Sequence, residues 1–275
     1  MSANTVHIVE ILEKTSGMDI SVYDDSFLNN CIQKRITETR CGSPEAYTVM
    51  IGQDPAEREH FIGSLTISYS EFFRNSLTSS VLERIIFPML VLNLKETKRQ
   101  EIRIWSAACA AGQESYSMAI ILEELKNGNP EKFKYRIFAS DQAESRAIEA
   151  ELGQYTYEEI GNLSVKRVAR WFNREGNTFG IRQELKTNID FSVFDLFSKS
   201  MVSPSASIFG DFDLVICANL LFYYKPASRK KILDKVGQCL TKGGFLVTGE
   251  TEREIVSDLA YREVFPQSAI FQKKT

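Results

Sequence analysis

Histidine is almost missing. The chain of 275 residues has two, His7 and His60, both in its N-terminal third. Cysteine is scarce as well. Cys31, Cys41, Cys109, Cys217 and Cys239 are odd in number and widely spaced, with no CxxC pair. That excludes a disulfide framework and a zinc site of the usual spacing, so no metal is expected. Buried free thiols in a reducing compartment are expected instead. Positive charge is not in excess: 33 Lys and Arg face 36 Asp and Glu, a net charge of −3. A nucleic-acid partner, which meets a strongly basic face, is therefore not expected, although a local basic patch remains possible. No run of about 18 apolar residues stands out, so no membrane span or insertion is expected. The start MSANTVHIVEIL has no basic residues ahead of an apolar run, so no signal peptide is expected either. A cytoplasmic protein fits these absences.

What is present is ordinary globular material. The chain is 43% hydrophobic and 25% charged, enough for a sizeable core in one large domain or two smaller ones. Residues 1–92 read as helical. Phe27, Leu28, Cys31, Ile32 and Ile36 recur at helical spacing behind Ser26 as a cap. Ser43-Pro44-Glu45 and Asp54-Pro55 each look like a capped helix start. A helix from about Ser79 to Leu94 contains Pro88 and should kink or break. From residue 93 the pattern changes. EIRIWSA, KYRIFASD, FDLVICAN and GGFLVTGE are strand-like and alternate with helical stretches. This predicts an α/β domain over 93–275 with a doubly wound, mostly parallel sheet. Residues 166–190 do not fit a crossover. FNREGNTFGI, with its Gly-Asn turn, reads as a small antiparallel β-insertion.

The loop after the first strand, Ser106-Ala107-Ala108-Cys109-Ala110-Ala111-Gly112, is made of small residues. In open α/β sheets ligands lie beyond the carboxyl ends of the strands, and small residues there let the backbone approach a cofactor. A tight strand–helix crossing would want the same residues. Asp141, at the tip of the second strand, can accept the hydroxyls of a ribose; capping the helix that follows is the competing use. Together they point to a nucleoside-containing ligand.

Several of these stretches carry a resemblance. RIWSAACAAGQESYSMAI is similar to the RIWSA…TGEEPYSLAI loop of the CheR-type chemotaxis receptor methyltransferases. TISYSEFFRN resembles their N-x-T-x-FFR segment. FDLVICANLLFYYKPASRKKILDKVGQCLTKGGFLVTGETE follows their FDLIFCRNVLIYF…PGGYLFLGHSE almost without gaps. The resemblance implies a Rossmann-like class I methyltransferase domain behind an N-terminal all-α recognition domain. The cofactor would be S-adenosylmethionine, leaving as S-adenosylhomocysteine. The products would be glutamyl methyl esters on the cytoplasmic helical bundle of chemoreceptors.

Residue by residue, the resemblance places Ser68, Ser70 and Arg74 on the cofactor, with Ser68 where the family has Asn. Arg74 would pair with the cofactor carboxylate or steer the substrate's, and Tyr223 would stand beside the substrate; these two are the catalytic candidates. Ala107 and Gly112 would line the cofactor loop, Glu114 would meet the ammonium group, and Asp141 the ribose. Asp195 and Leu196 would lie at the adenine edge. Asn219 would lie near the sulfonium beside Ala218, which replaces a family Arg. Lys34, Arg35 and Arg40 would form the partner-binding face, and Phe72 and Phe73 would be core. A glutamate carboxylate is already ionised at neutral pH, so no general base is needed, in keeping with two histidines outside every motif. The hairpin is shorter than in relatives that grip a receptor's C-terminal pentapeptide, so a tether-independent monomer is expected. A relative redirected to another protein, or a cofactor-binding regulator without activity, is the alternative.

Overall fold

The structure is a computed structural model that describes residues 2–66, 69–97, 99–128, 132–207, 210–257 and 261–273. The chain forms two compact units. Met1–Ile67 and Leu221–Lys231 make the first; Ser68–Leu220 and Ile232–Thr275 make the second.

The first unit is helical: α1 (Ala3–Ser16), α2 (Asp25–Thr39), α3 (Pro44–Gln53) and α4 (Pro55–Ser64). Ser43 and Asp54 cap α3 and α4, each with Pro at the first helical position, as the sequence predicts. The cap of α2 is Asp24 rather than Ser26: its carboxylate accepts from the Ser26 N–H at 2.9 Å. Ile8, Leu12, Leu28, Ile32, Tyr47, Ile51 and Phe61 are buried. The returning segment joins this unit by backbone pairing. Asp24 N–H donates to the Tyr223 carbonyl at 2.8 Å, and Lys225 N–H to that of Val22 at 3.0 Å. The rings of Tyr23 and Tyr224 stack at 4.9 Å.

The second unit opens with α5 (Ser76–Val81), a π-helical turn (Leu82–Ile86) and α6 (Phe87–Thr97). Pro88 cannot donate to the Arg84 carbonyl and its ring would strike it. The wider π turn just ahead of it accommodates both defects, so the expected break takes this form. Sequence alone sets the helical region at 1–92, but the units divide at Ile67. Val81, Leu82, Ile86, Phe87 and Leu90 pack with Ile102, Ile104 and Ile120 in the core of the second unit, and helical periodicity does not say which core a face enters. Among the described residues one run, Ser76–Leu94, is apolar enough by length and composition alone to cross a membrane (mean hydropathy 1.4), but 44% of its apolar window is buried in the protein and its residues Val81, Leu82, Ile86, Phe87 and Leu90 pack in the core.

Then follow β1 (Glu101–Ser106), α7 (Gln113–Gly128), β2 (Lys134–Asp141), α8 (Glu144–Leu152), β3 (Gln154–Tyr155), α9 (Val165–Trp171), β4 (Phe172–Glu175), β5 (Thr178–Ile181), α10 (Gln183–Lys186), β6 (Ile189–Val193), β7 (Phe212–Ile216), α11 (Pro226–Cys239), β8 (Leu240–Val247), α12 (Arg253–Ser257), β9 (Tyr261–Glu263) and β10 (Ile270–Lys273). The main sheet runs β6-β2-β1-β7-β8-β10-β9. Its first five strands are parallel, and β10 is antiparallel to both neighbours. Strand order reverses at β1 and β7, so their carboxyl ends flank the crevice where ligands bind in such sheets. A second sheet has the order β3-β5-β4. The β4–β5 hairpin turns on Gly176-Asn177, with Glu175 opposite Thr178 and Gly176 at φ +63°, a two-residue turn with glycine first. The insertion differs from the predicted 166–190: its third strand is Gln154–Tyr155, and Ile189–Val193 belongs to the main sheet.

Candidate cofactor-binding site

The small-residue loop leaves β1 at the strand-order switch. Ala107 N–H donates to the Ile216 carbonyl of β7 at 2.8 Å, and Cys109 N–H to that of Ser140 at 2.9 Å. The loop is thereby pinned to strands on both sides. Gly112 adopts φ +89°, and a Cβ there would lie 3.0 Å from the Ala150 Cβ and 3.2 Å from the Tyr116 ring. Gly112→Ala is therefore expected to lose roughly 1–2 kcal/mol from the left-handed backbone alone, more from the contacts, and to weaken cofactor binding with it. Chemical denaturation and calorimetry would check both.

Asp141 is buried, 7% exposed. One carboxylate oxygen accepts from Ala110 N–H at 2.9 Å and the other from Ala143 N–H at 3.0 Å. It ties the β1 loop to the β2 tip, while Ala143 takes the cap position of α8. Burial pushes its pKa up against these two hydrogen bonds. Each oxygen retains acceptor capacity for a ribose hydroxyl.

Glu114 lies in the first turn of α7. Its Oε1 accepts from the Ser106 hydroxyl at 2.6 Å. Burial raises its pKa to about 7, opposed by the Ser106 hydrogen bond and the Arg74 charge and reinforced by Glu252. A buried carboxylate of this kind fits an ammonium group. Arg74 itself is exposed. It lies over the Tyr69 ring at 5.0 Å and donates to the Tyr69 carbonyl at 3.3 Å. The same segment is anchored by Asn75, whose side-chain amide donates to Glu250 at 3.3 Å, and by Thr78, whose hydroxyl donates to the Ser268 carbonyl at 2.7 Å. Ser70 is half-buried beside it. Phe72 is core against Tyr155 and Phe172, as expected. Phe73 is half-buried under the Arg167 guanidinium. Ser68 lies outside the described residues.

After β7 comes Ala218, packed on the core, and then Asn219 at φ +59°. The Asn219 N–H donates to Glu252 at 2.8 Å. After β6, one Asp195 carboxylate oxygen accepts from Phe197 N–H at 2.8 Å. Leu196 is buried. Arg74, Ala107, Gly112, Glu114, Asp141, Asp195, Leu196 and Asn219 thus all lie in one unit: on the segment ahead of α5, the loops after β1, β6 and β7, the first turn of α7 and the last residue of β2.

Four predicted residues lie in the helical unit. Tyr223 follows Asn219 by four positions, and its ring meets Phe27 edge-on at 4.9 Å. Lys34 is exposed. Arg40 is exposed and ends α2 in the left-handed conformation. Arg35 departs from its predicted partner role. Its Nε donates to Glu57 at 2.8 Å, and the side chain is only 14% exposed. Glu252 was not among the sequence candidates, although GETE at 249–252 lines up with the family's GHSE and keeps its final Glu.

This sheet order, with a cofactor loop after β1 and acidic residues at α7 and β2, defines a class I S-adenosylmethionine-dependent methyltransferase. The SAM-binding domain of CheR methyltransferase matches residues 68–268, and the CheR methyltransferase all-alpha domain matches residues 6–66. The chain belongs to the CheR methyltransferase family. The chemotaxis protein methyltransferase of Escherichia coli K12 is 32% identical over 252 residues, 89% of this chain and 82% of that protein. That of Listeria innocua is 27% identical over 248 residues, covering 90% and 89%. Chemotaxis protein methyltransferase 1 of Pseudomonas aeruginosa is 28% identical over 246 residues, covering 88% and 86%.

Proposed function

We propose that the protein is a chemotaxis methyltransferase that forms methyl esters on glutamate side chains of chemoreceptor cytoplasmic bundles. The observation that carries this reading is the relative at 32% identity over 89% of the chain, named a chemotaxis protein methyltransferase. The site chemistry supports it. The cofactor supplies an electrophilic methyl group. Glu114 holds the ammonium end, Asp141 the ribose, Asp195 and Leu196 the adenine edge, and Ala218 and Asn219 the region of the sulfonium. Arg74, exposed and near enough for its charge to lower the Glu114 pKa, pairs with the cofactor carboxylate or draws in the substrate's, in the bidentate manner open to Arg. Tyr223 borders the substrate. An ionised carboxylate needs orientation and exclusion of water rather than a base, and both histidines lie in the helical unit.

On α2, Lys34 and Arg40 meet the acidic partner, with Arg35 turned inward to Glu57. The hairpin ends in a two-residue turn between four-residue strands, which offers little edge for an added peptide strand. Recognition is therefore of the methylated region itself, without a pentapeptide tether, by a cytoplasmic monomer. The test is transfer of labelled methyl groups to receptors of the same organism. Label released by mild alkali is expected. Alkali-stable label would defeat the ester chemistry, and cofactor binding without transfer would favour the regulator reading.

A further inference from the structure

Asn219 holds a backbone conformation that L-residues other than Asn and Asp seldom adopt, φ +59°. Something must fix it. Its N–H leaves the β7 ladder and points to the same carboxylate oxygen as the N–H of Gly249, each at 2.8 Å. That oxygen is the Oε2 of Glu252, whose side chain is fully buried. The Glu252 N–H in turn donates to the Gly249 carbonyl at 3.0 Å. One buried side chain therefore satisfies two backbone donors, a half-buried one on the turn after β7 and a buried one on the turn after β8. Leaving such donors unpaired is costly. The packing has no slack: a Cβ on Gly249 would lie 2.8 Å from Asn219 Oδ1, 2.8 Å from Glu252 Oε2 and 3.0 Å from Asn219 N.

We infer that Glu252 is a positioning residue of the cofactor site: its carboxylate locks Asn219 into the left-handed turn that presents it to the cofactor. This rests on the reading that Asn219 contacts the cofactor, and the two are separable. Because both N–H groups converge on one oxygen, Gln keeps the geometry with its amide oxygen, and Ala does not. Glycine tolerates the turn, so Asn219→Gly removes the side chain without backbone strain.

The experiment is calorimetric titration of the full chain with S-adenosylhomocysteine. Glu252→Ala is expected to weaken binding at least tenfold, and Glu252→Gln to restore it to within about threefold of wild type. Wild-type affinity in Glu252→Ala, or Glu252→Gln as weak as Glu252→Ala, would overturn the inference. If Glu252→Ala does not fold, Gly249→Ala stands in: it keeps the carboxylate but displaces Asn219, so a tenfold loss is expected and unchanged affinity overturns the inference. Unchanged affinity in Asn219→Gly would instead defeat the cofactor role of Asn219.

Discussion

Glu57→Ala is expected to destabilise the helical unit by about 3–5 kcal/mol, the usual cost of removing one partner from a buried ion pair. Glu57 is 4% exposed and accepts from Arg35 Nε at 2.8 Å and from the Tyr47 hydroxyl at 2.7 Å. Without it the Arg35 guanidinium keeps only the exposed Glu38, at 2.6 Å, and no buried carboxylate. Burial pushes the Glu57 carboxyl up, but the Arg35 and Tyr47 hydrogen bonds together hold it below the usual range. A depressed carboxylate contributes stability above its unfolded pKa and loses it as pH falls through the folded value. The gap between wild type and Glu57→Ala should accordingly shrink in acid. Urea titration at neutral and acid pH measures both effects. A loss below about 1 kcal/mol would show that Arg35 swings freely into water, where it could again serve a partner.

Glu114→Gln should change binding and stability in opposite directions. On the role proposed for Glu114, opposite the cofactor's ammonium group, its replacement is expected to weaken cofactor binding by about 2–5 kcal/mol, roughly thirtyfold or more. The cofactor-free protein should become more stable at pH 8. Burial, more than Glu252, raises the Glu114 pKa to about 7. Stability from such a group is present below its unfolded pKa and is lost as pH rises through the folded value. Gln stays neutral and can still accept from Ser106. That role requires the ionised form in the wild type, so affinity should fall about tenfold per pH unit below pH 7, and Glu114→Gln should remove that slope. Calorimetry across pH 5.5–8.5 reads the slope. A slope that survives in Glu114→Gln would assign the titration to another group.

The elements that carry the candidate cofactor residues were legible because their signals are local. The loop Ser106–Gly112 shows its small residues directly, Asp141 stands at a strand tip by simple counting, and Glu114 opens the next helix. Their spacing along β1, α7 and β2 nearly forces them together, since a parallel sheet puts successive strand ends on one edge. The N-terminal helix starts were legible for the same reason: Ser43-Pro44 and Asp54-Pro55 need only their own neighbours. The cap of α2 was expected at Ser26 and is Asp24, two residues earlier, a shift that local pattern did not show.

Long-range partners were not legible. Glu252 meets the Asn219 N–H across 33 residues, Arg35 meets Glu57 across 22, and Thr78 meets Ser268 across 190. An Arg on an amphipathic helix looks the same in sequence whether it faces solvent or a buried carboxylate. The domain boundary failed similarly: the face of 76–97 is plainly apolar, but only packing assigns it to the sheet's core. The sequence by itself determined the alternation of strands and helices, the small-residue loop after β1 and the family, because these follow from residue type and short-range spacing. Tertiary structure alone decided which charges are neutralised inside, where Leu221–Lys231 belongs and what holds Asn219, because each depends on groups that only folding brings within hydrogen-bond distance.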